Sequence, residues 1–194
     1  TYKDAVRLNH EDVLHNAHVR DGIYLPVSGV PTENTYGPTV YDKGADVIHT
    51  LRTYMGDSVF FHCVKNYLDD FKWQTVSTAQ MRDYLSQCSG INLNDYFKDW
   101  VYTEGFPHFS IDKVEINNAI PLGVVCSVVV RQRLNHAPNF YSNVPITVSF
   151  FDESMHRIDR KFQVNDECTV LYHQQESYPV FIALDFDEKI QDAI

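Results

Sequence analysis

Tyr41 is the side chain in this sequence best placed by its surroundings to do chemistry. It stands in the stretch Thr39-Val-Tyr-Asp-Lys-Gly-Ala-Asp-Val-Ile-His-Thr-Leu-Arg52, which reads as a turn opening into a helix, with the tyrosine on the first turn. Pro38 favours an extended residue before it and Thr39 is able to cap, so a phenol hydroxyl is expected where an irregular segment becomes helical. Such junctions often line clefts. Gly44, one turn on, costs about 1 kcal/mol against alanine inside a helix, which predicts something packed close to the backbone.

Other candidate chemistry is weaker. His10-Glu-Asp-Val-Leu-His15 is a near miss for H-E-x-x-H, in which two histidines four apart share one helix face and ligate zinc. Here they are five apart, which puts them about 140° apart around a helix, so they cannot both reach one ion. Solvated histidines are expected instead. His15-x-x-His18 has better spacing but no accompanying third ligand. The cysteines Cys63, Cys88, Cys126 and Cys168 form no C-x-x-C pair, and reduced, buried thiols are expected. No Ser/His/Asp cluster, glycine-rich phosphate loop or carboxylate pair at telling spacing appears.

The elements that must position Tyr41 follow from periodicity. Thr1 to about His15 is helical in character with a thin apolar stripe, and residues 20–38 carry enough glycine and proline to be an irregular loop. From Tyr41 the apolar positions Ala45, Ile48, Leu51 and Met55 recur at helical spacing and Gly56 ends the run. Asp57 or Ser58 is expected to cap a helix carrying Phe60, Val64, Tyr67, Leu68 and Phe71. Ser77 and Gln80 form a capping box before Met81, Tyr84, Leu85 and Cys88, with Gly90 closing. Leu93, Tyr96, Phe97, Trp100 and Val101 make a further helical stripe. After Pro107 the period falls to two, and six or seven short strands are expected from Phe109 onward.

The fold class expected is α+β: a helical bundle over 1–108, then an antiparallel, immunoglobulin-like β-sandwich over 109–194. With 44% hydrophobic residues the chain has enough apolar material for a substantial core. A formal charge of −10 argues against a nucleic-acid partner. The longest uncharged run, 116–130, is too short and too interrupted to span a membrane. Thr1, without methionine or a signal-like segment after it, is expected to be a cut through a longer protein.

Several blocks occur in one order: Tyr41-Asp-Lys-Gly-Ala45 and its helix, Gly56 with Phe60-Phe61, Val76-Ser-Thr78, Ser89-Gly90, Leu93-x-x-Tyr-Phe-x-x-Trp100 and Gly105-Phe-Pro107. That order resembles the aminopeptidase N family of zinc metallopeptidases, the gluzincins, from about Leu25 to Phe109 and more loosely beyond. The resemblance implies the C-terminal part of a thermolysin-like peptidase domain followed by a β-sandwich. It implies that Tyr41 reaches toward the zinc-bound tetrahedral intermediate and stabilises its oxyanion, and it leaves Tyr36 as a substrate-binding candidate in the same cleft. A peptide substrate and a zinc ion are implied for the parent protein. The family's H-E-x-x-H and following glutamate lie upstream of the tyrosine and are not in this sequence. The chain by itself is therefore expected to be inactive and to hold no stoichiometric zinc. The alternative is a relative that has lost the metal site and serves as a binding or interaction module. Tyr54, on the same helix but outside the motif, is the natural control for Tyr41.

Overall fold

The computed structural model describes residues 1–15, 24–118, 123–190 and 192. These form an α+β chain of two compact units, Thr1–Gly105 and Phe106–Ile194.

The first unit is helical. Helix α1 spans Tyr2–His15, α2 Pro38–Met55, α3 Asp57–Asp70 and α4 Thr78–Ser89, and the short α5 (Asn94–Tyr96) runs straight into a π-turn over Phe97–Val101. Local sequence rules set several of these ends. The Ser77 hydroxyl accepts from the Gln80 amide at 3.2 Å while Gln80 Oε1 accepts from the Ser77 amide at 2.8 Å, a complete capping box. Gly90 ends α4 in the left-handed region, at φ 70°. Other ends differ from expectation. Gly37, not Thr39, occupies the cap position of α2, with Pro38 as the first helical residue, because a proline at that position gives up only an amide that no helical carbonyl would accept. Gly56 both closes α2 and precedes α3, so Asp57 is already helical, and its carboxylate takes two bonds from Arg52 at 2.8 and 2.7 Å.

The stripe of α2 also differs from the apolar reading. Ala45 and Ile48 face solvent, whereas Lys43, Asp46, Val47, Thr50 and Leu51 are buried. The last turns are held conventionally: Tyr96 is buried and donates to the Val47 carbonyl at 2.5 Å, and its ring meets that of Tyr54 edge-on at 4.9 Å. Leu93, Phe97, Trp100 and Val101 are buried beside it.

A disulfide joins Cys63 on α3 to Cys88 on α4, overturning the expectation of reduced thiols for this pair. The two helices bring these α-carbons to 5.7 Å, within disulfide range, although 25 residues separate them in sequence. Cys126 is free and buried, as expected, and burial raises its thiol pKa; Cys168 is free but exposed.

The second unit holds two antiparallel three-stranded sheets. Strands β1 (Phe106–Asn118), β2 (Val124–Asn135) and β5 (Cys168–Gln175) form one, in the order β1-β2-β5. Strands β4 (Arg157–Val164), β3 (Val144–Phe151) and β6 (Phe181–Leu184) form the other, with β3 central. Strand β1 starts at Phe106, ahead of the expected Phe109, and includes Pro107 opposite Leu134. An edge strand tolerates proline because its missing amide costs no ladder bond on the open side. Alternation is clearest in β2, where Val124, Cys126, Val128, Val130 and Gln132 point inward. Gln132 is completely buried yet satisfied: it donates to the carbonyls of Tyr141 and Asp166 at 3.1 Å each and accepts from the Tyr141 amide at 2.6 Å.

Candidate active-site segment

The first turns of α2 present two faces of opposite character. Tyr41, Ala45 and Ile48, spaced i, i+4 and i+7, share an exposed face. Tyr41 is 59% exposed, and its own amide donates to the Gly37 carbonyl at 3.3 Å, so the ring leaves the helix within its first full turn. Tyr36, on the segment leading in, is 85% exposed. Both tyrosines named from sequence are thus surface side chains of the first unit.

The opposite face buries the polar side chains Lys43, Asp46 and Thr50 beside Val47, which hydrophobic periodicity could not reveal. Lys43 is only 4% exposed, and its ammonium donates to the carbonyl oxygens of Leu25 at 2.8 Å and Gly105 at 3.2 Å. Burial pulls its pKa down to about 8, with the carboxylate of Glu104 acting weakly in the other direction. The same two segments are joined by their backbones: the Gly105 amide donates to the Tyr24 carbonyl at 2.8 Å and the Ser28 amide to the Val101 carbonyl at 3.0 Å. Lys43 therefore ties α2 to a seam formed by 24–28 and 101–105. Sequence reasoning quoted Lys43 within the motif without giving it a role; the available signal was a lysine on the helix face opposite Tyr41.

Asp46, one turn further on, accepts from Asn9 Nδ2 at 2.6 Å and meets His10 Nδ1 at 3.0 Å, while Asn9 Nδ2 also reaches the Asp42 carbonyl at 3.0 Å. His10 is accordingly a half-buried bond between α1 and α2 and not a solvated residue, because the face of α1 that carries it lies against α2. His15 is exposed and His18 lies outside the described residues.

Gly44 has the Val27 side chain beside it, yet a β-carbon built there would stand 3.9 Å from Val27 Cγ1, an ordinary contact. Something does pack at Gly44, but not closely enough to require glycine. Tyr54 proves a poor control for Tyr41, since its hydroxyl accepts the indole N–H of buried Trp100 at 3.0 Å.

No group of three or more histidine, cysteine, aspartate or glutamate side chains among the described residues is arranged to hold a metal ion. Among the described residues the donor set of a zinc centre is thus not met. What the segment offers chemically is a solvent-facing phenol on a helix whose other face is fixed by charge-assisted hydrogen bonds.

The peptidase family M1 domain model matches residues 2–100, half of the chain, and the chain belongs to that family. Among its relatives, the probable aminopeptidase 1 of Sulfurisphaera tokodaii is 22% identical over 190 residues, covering 97% of this chain and 21% of that protein. Aminopeptidase 2, mitochondrial, of Saccharomyces cerevisiae is 29% identical over 103 residues, covering 53% of this chain and 10% of its own. Aminopeptidase N of Lactococcus lactis subsp. lactis is 28% identical over 95 residues, 48% of this chain and 11% of its own. In fold the chain is similar to the crystal structure of Legionella pneumophila aminopeptidase A in complex with aspartic acid, with a TM-score of 0.65 at 19% identity, over 81% of this chain and 18% of that one. The chain spans about a fifth or less of the length of these proteins.

Proposed function

We propose that this chain acts as the C-terminal part of a zinc-dependent aminopeptidase, and that Tyr41 supplies the hydroxyl that stabilises the oxyanion formed when the N-terminal peptide bond of a substrate is attacked. In this reading residues 1–108 belong to the helical part of the peptidase domain and 109–194 form an immunoglobulin-like β-sandwich. Tyr36 contributes to binding the peptide. The observation that carries the reading is the exposed Tyr41 ring on the first turn of a helix anchored from behind, inside the ordered motif Tyr41-Asp-Lys-Gly-Ala45. A phenol in that setting keeps its direction and donates where negative charge develops. The zinc-binding residues belong to sequence upstream of this chain, and the ion would supply the activation of water there.

The test is Tyr41→Phe in the full-length protein. The ring is exposed, so the fold survives the change, while losing one oxyanion donor costs on the order of 10²–10³ in kcat. Because the loss is confined to the transition state, kcat and kcat/KM fall together on a leucyl anilide substrate. Tyr172→Phe, an exposed tyrosine of the strand unit, is the control and should change kcat little. Retention of more than about half of kcat by Tyr41→Phe, where a hundredfold loss is due, would return Tyr41 to being a surface residue at a helix start. The rival reading, an interaction module without a metal site, is separated by the coding sequence upstream of Thr1: H-E-x-x-H with a following glutamate supports the peptidase, and its absence supports the module.

A further inference from the structure

We propose that Lys43 is a positioning residue for Tyr41: by tying α2 to the carbonyls of Leu25 and Gly105 it fixes the rotation of the helix, and with it the direction of the Tyr41 hydroxyl. The inference rests on the reading of Tyr41 as the oxyanion donor.

Three observations lead to it. The cap residue of α2, Gly37, has no side chain to bond the free amides of the first turn, so the usual lock at a helix start is missing. Gly44 follows Lys43 directly and makes the backbone there more pliable than alanine would. Against these two weaknesses stands the pair of bonds from Lys43 Nζ, whose acceptors belong to a seam already closed by Gly105 to Tyr24 and by Ser28 to Val101. The Val27 side chain, from the same seam, stands beside Gly44, where a β-carbon would meet its Cγ1 at 3.9 Å.

Residues 41 and 43 point about 160° apart around the helix, so the anchored side chain and the reacting one form a lever across the axis. A tyrosine hydroxyl lies about 8 Å from the axis, and a rotation of about 7° moves it by about 1 Å. A misplacement of that size costs up to about 10²-fold in rate.

The experiment is a double-mutant cycle in the full-length enzyme, with kcat and KM for a leucyl anilide measured on Lys43→Met, Tyr41→Phe and the pair. The expected result is a fall of about tenfold or more in kcat for Lys43→Met with KM within about twofold, and no further fall when Lys43→Met is added to Tyr41→Phe. A merely structural lysine would give losses that multiply. Unchanged kcat in a folded Lys43→Met, or an equal loss in both backgrounds, overturns the proposal while leaving Tyr41 its role. Unchanged kcat in Tyr41→Phe removes the reading beneath it, and the two failures are thereby distinct. If Lys43→Met does not fold, Val27→Ala loosens the same seam without touching charge. Its kcat should fall about threefold with Tyr41 present and not at all in the Tyr41→Phe background, and any other pattern overturns the proposal.

Discussion

Raising the pH from 8 to 9.5 should stabilise the helical unit, and Lys43 is the reason. Its side chain is buried and its pKa is lowered from 10.5 to about 8. In the unfolded chain the amine keeps its ordinary affinity for a proton, so across this window the unfolded state binds more protons than the native one. Stability therefore rises with pH between the folded and unfolded values, and below pH 8 the full cost of burying the charge is present. A displacement of this size corresponds to about 3 kcal/mol in total, of which about half, ~1.5 kcal/mol, is recovered between pH 8 and 9.5. Both tryptophans, Trp73 and Trp100, lie in the helical unit, and Trp100 is buried, so urea unfolding followed by tryptophan fluorescence reports that unit. Lys43→Met supplies the baseline, because every other group titrating in the window is common to both proteins. The difference between the two slopes should amount to ~1.5 kcal/mol. Equal slopes, or a wild-type protein that loses stability relative to Lys43→Met over this range, would refute the argument that desolvation governs the lysine.

Gly44→Ala should raise the stability of the same unit by about 1 kcal/mol, since the added methyl meets only an ordinary contact from Val27; urea midpoints by the same fluorescence signal would show it, and a drop would mean that the helix and the Val27 segment approach more closely than the structure shows. Breaking the Cys63–Cys88 bond with a Cys63→Ser/Cys88→Ser double substitution should cost about 3.5 kcal/mol for a loop of this length, read as a lowered melting temperature that reducing agent does not lower further. In the strand unit, Asp185 is half-buried and accepts from the amides of Lys189 and Ile190, and desolvation pushes its carboxyl up to about 6. The native state then holds this proton at pH values where the unfolded chain has released it, so the aspartate loses stability as pH rises from about 4 to 6. Asp185→Asn should flatten that slope in near-ultraviolet circular dichroism melts.

Features governed by neighbours in sequence were legible in it. The capping box at Ser77 and Gln80, the stop at Gly90, and the strands Val144–Phe151 and Arg157–Val164 follow from short-range rules of capping and alternation. The features missed depend on what tertiary contact brings to a side chain. Lys43, Asp46 and Thr50 are buried because carbonyls and an Asn9/His10 pair come to meet the two charged ones, and a hydropathy pattern weights all three as surface residues. Cys63 and Cys88 likewise met no sequence signal, since only the packing of α3 on α4 makes them neighbours. The stretch around Tyr41 is legible through its motif, whereas the bonds of Lys43 to the Leu25 and Gly105 carbonyls are visible only in the structure.

The anchor of α2 is also lopsided in what it demands of the chain. Lys43 bonds to main-chain oxygens, which any residue at 25 supplies, so replacing Leu25 leaves that acceptor in place, whereas replacing Lys43 removes both donors together. Gly105 is restricted for a separate reason, its φ of 78°, and not by the lysine. A saturation library of this segment should accordingly show one intolerant position facing a permissive one, a signature that pairwise covariation between 25 and 43 would fail to register.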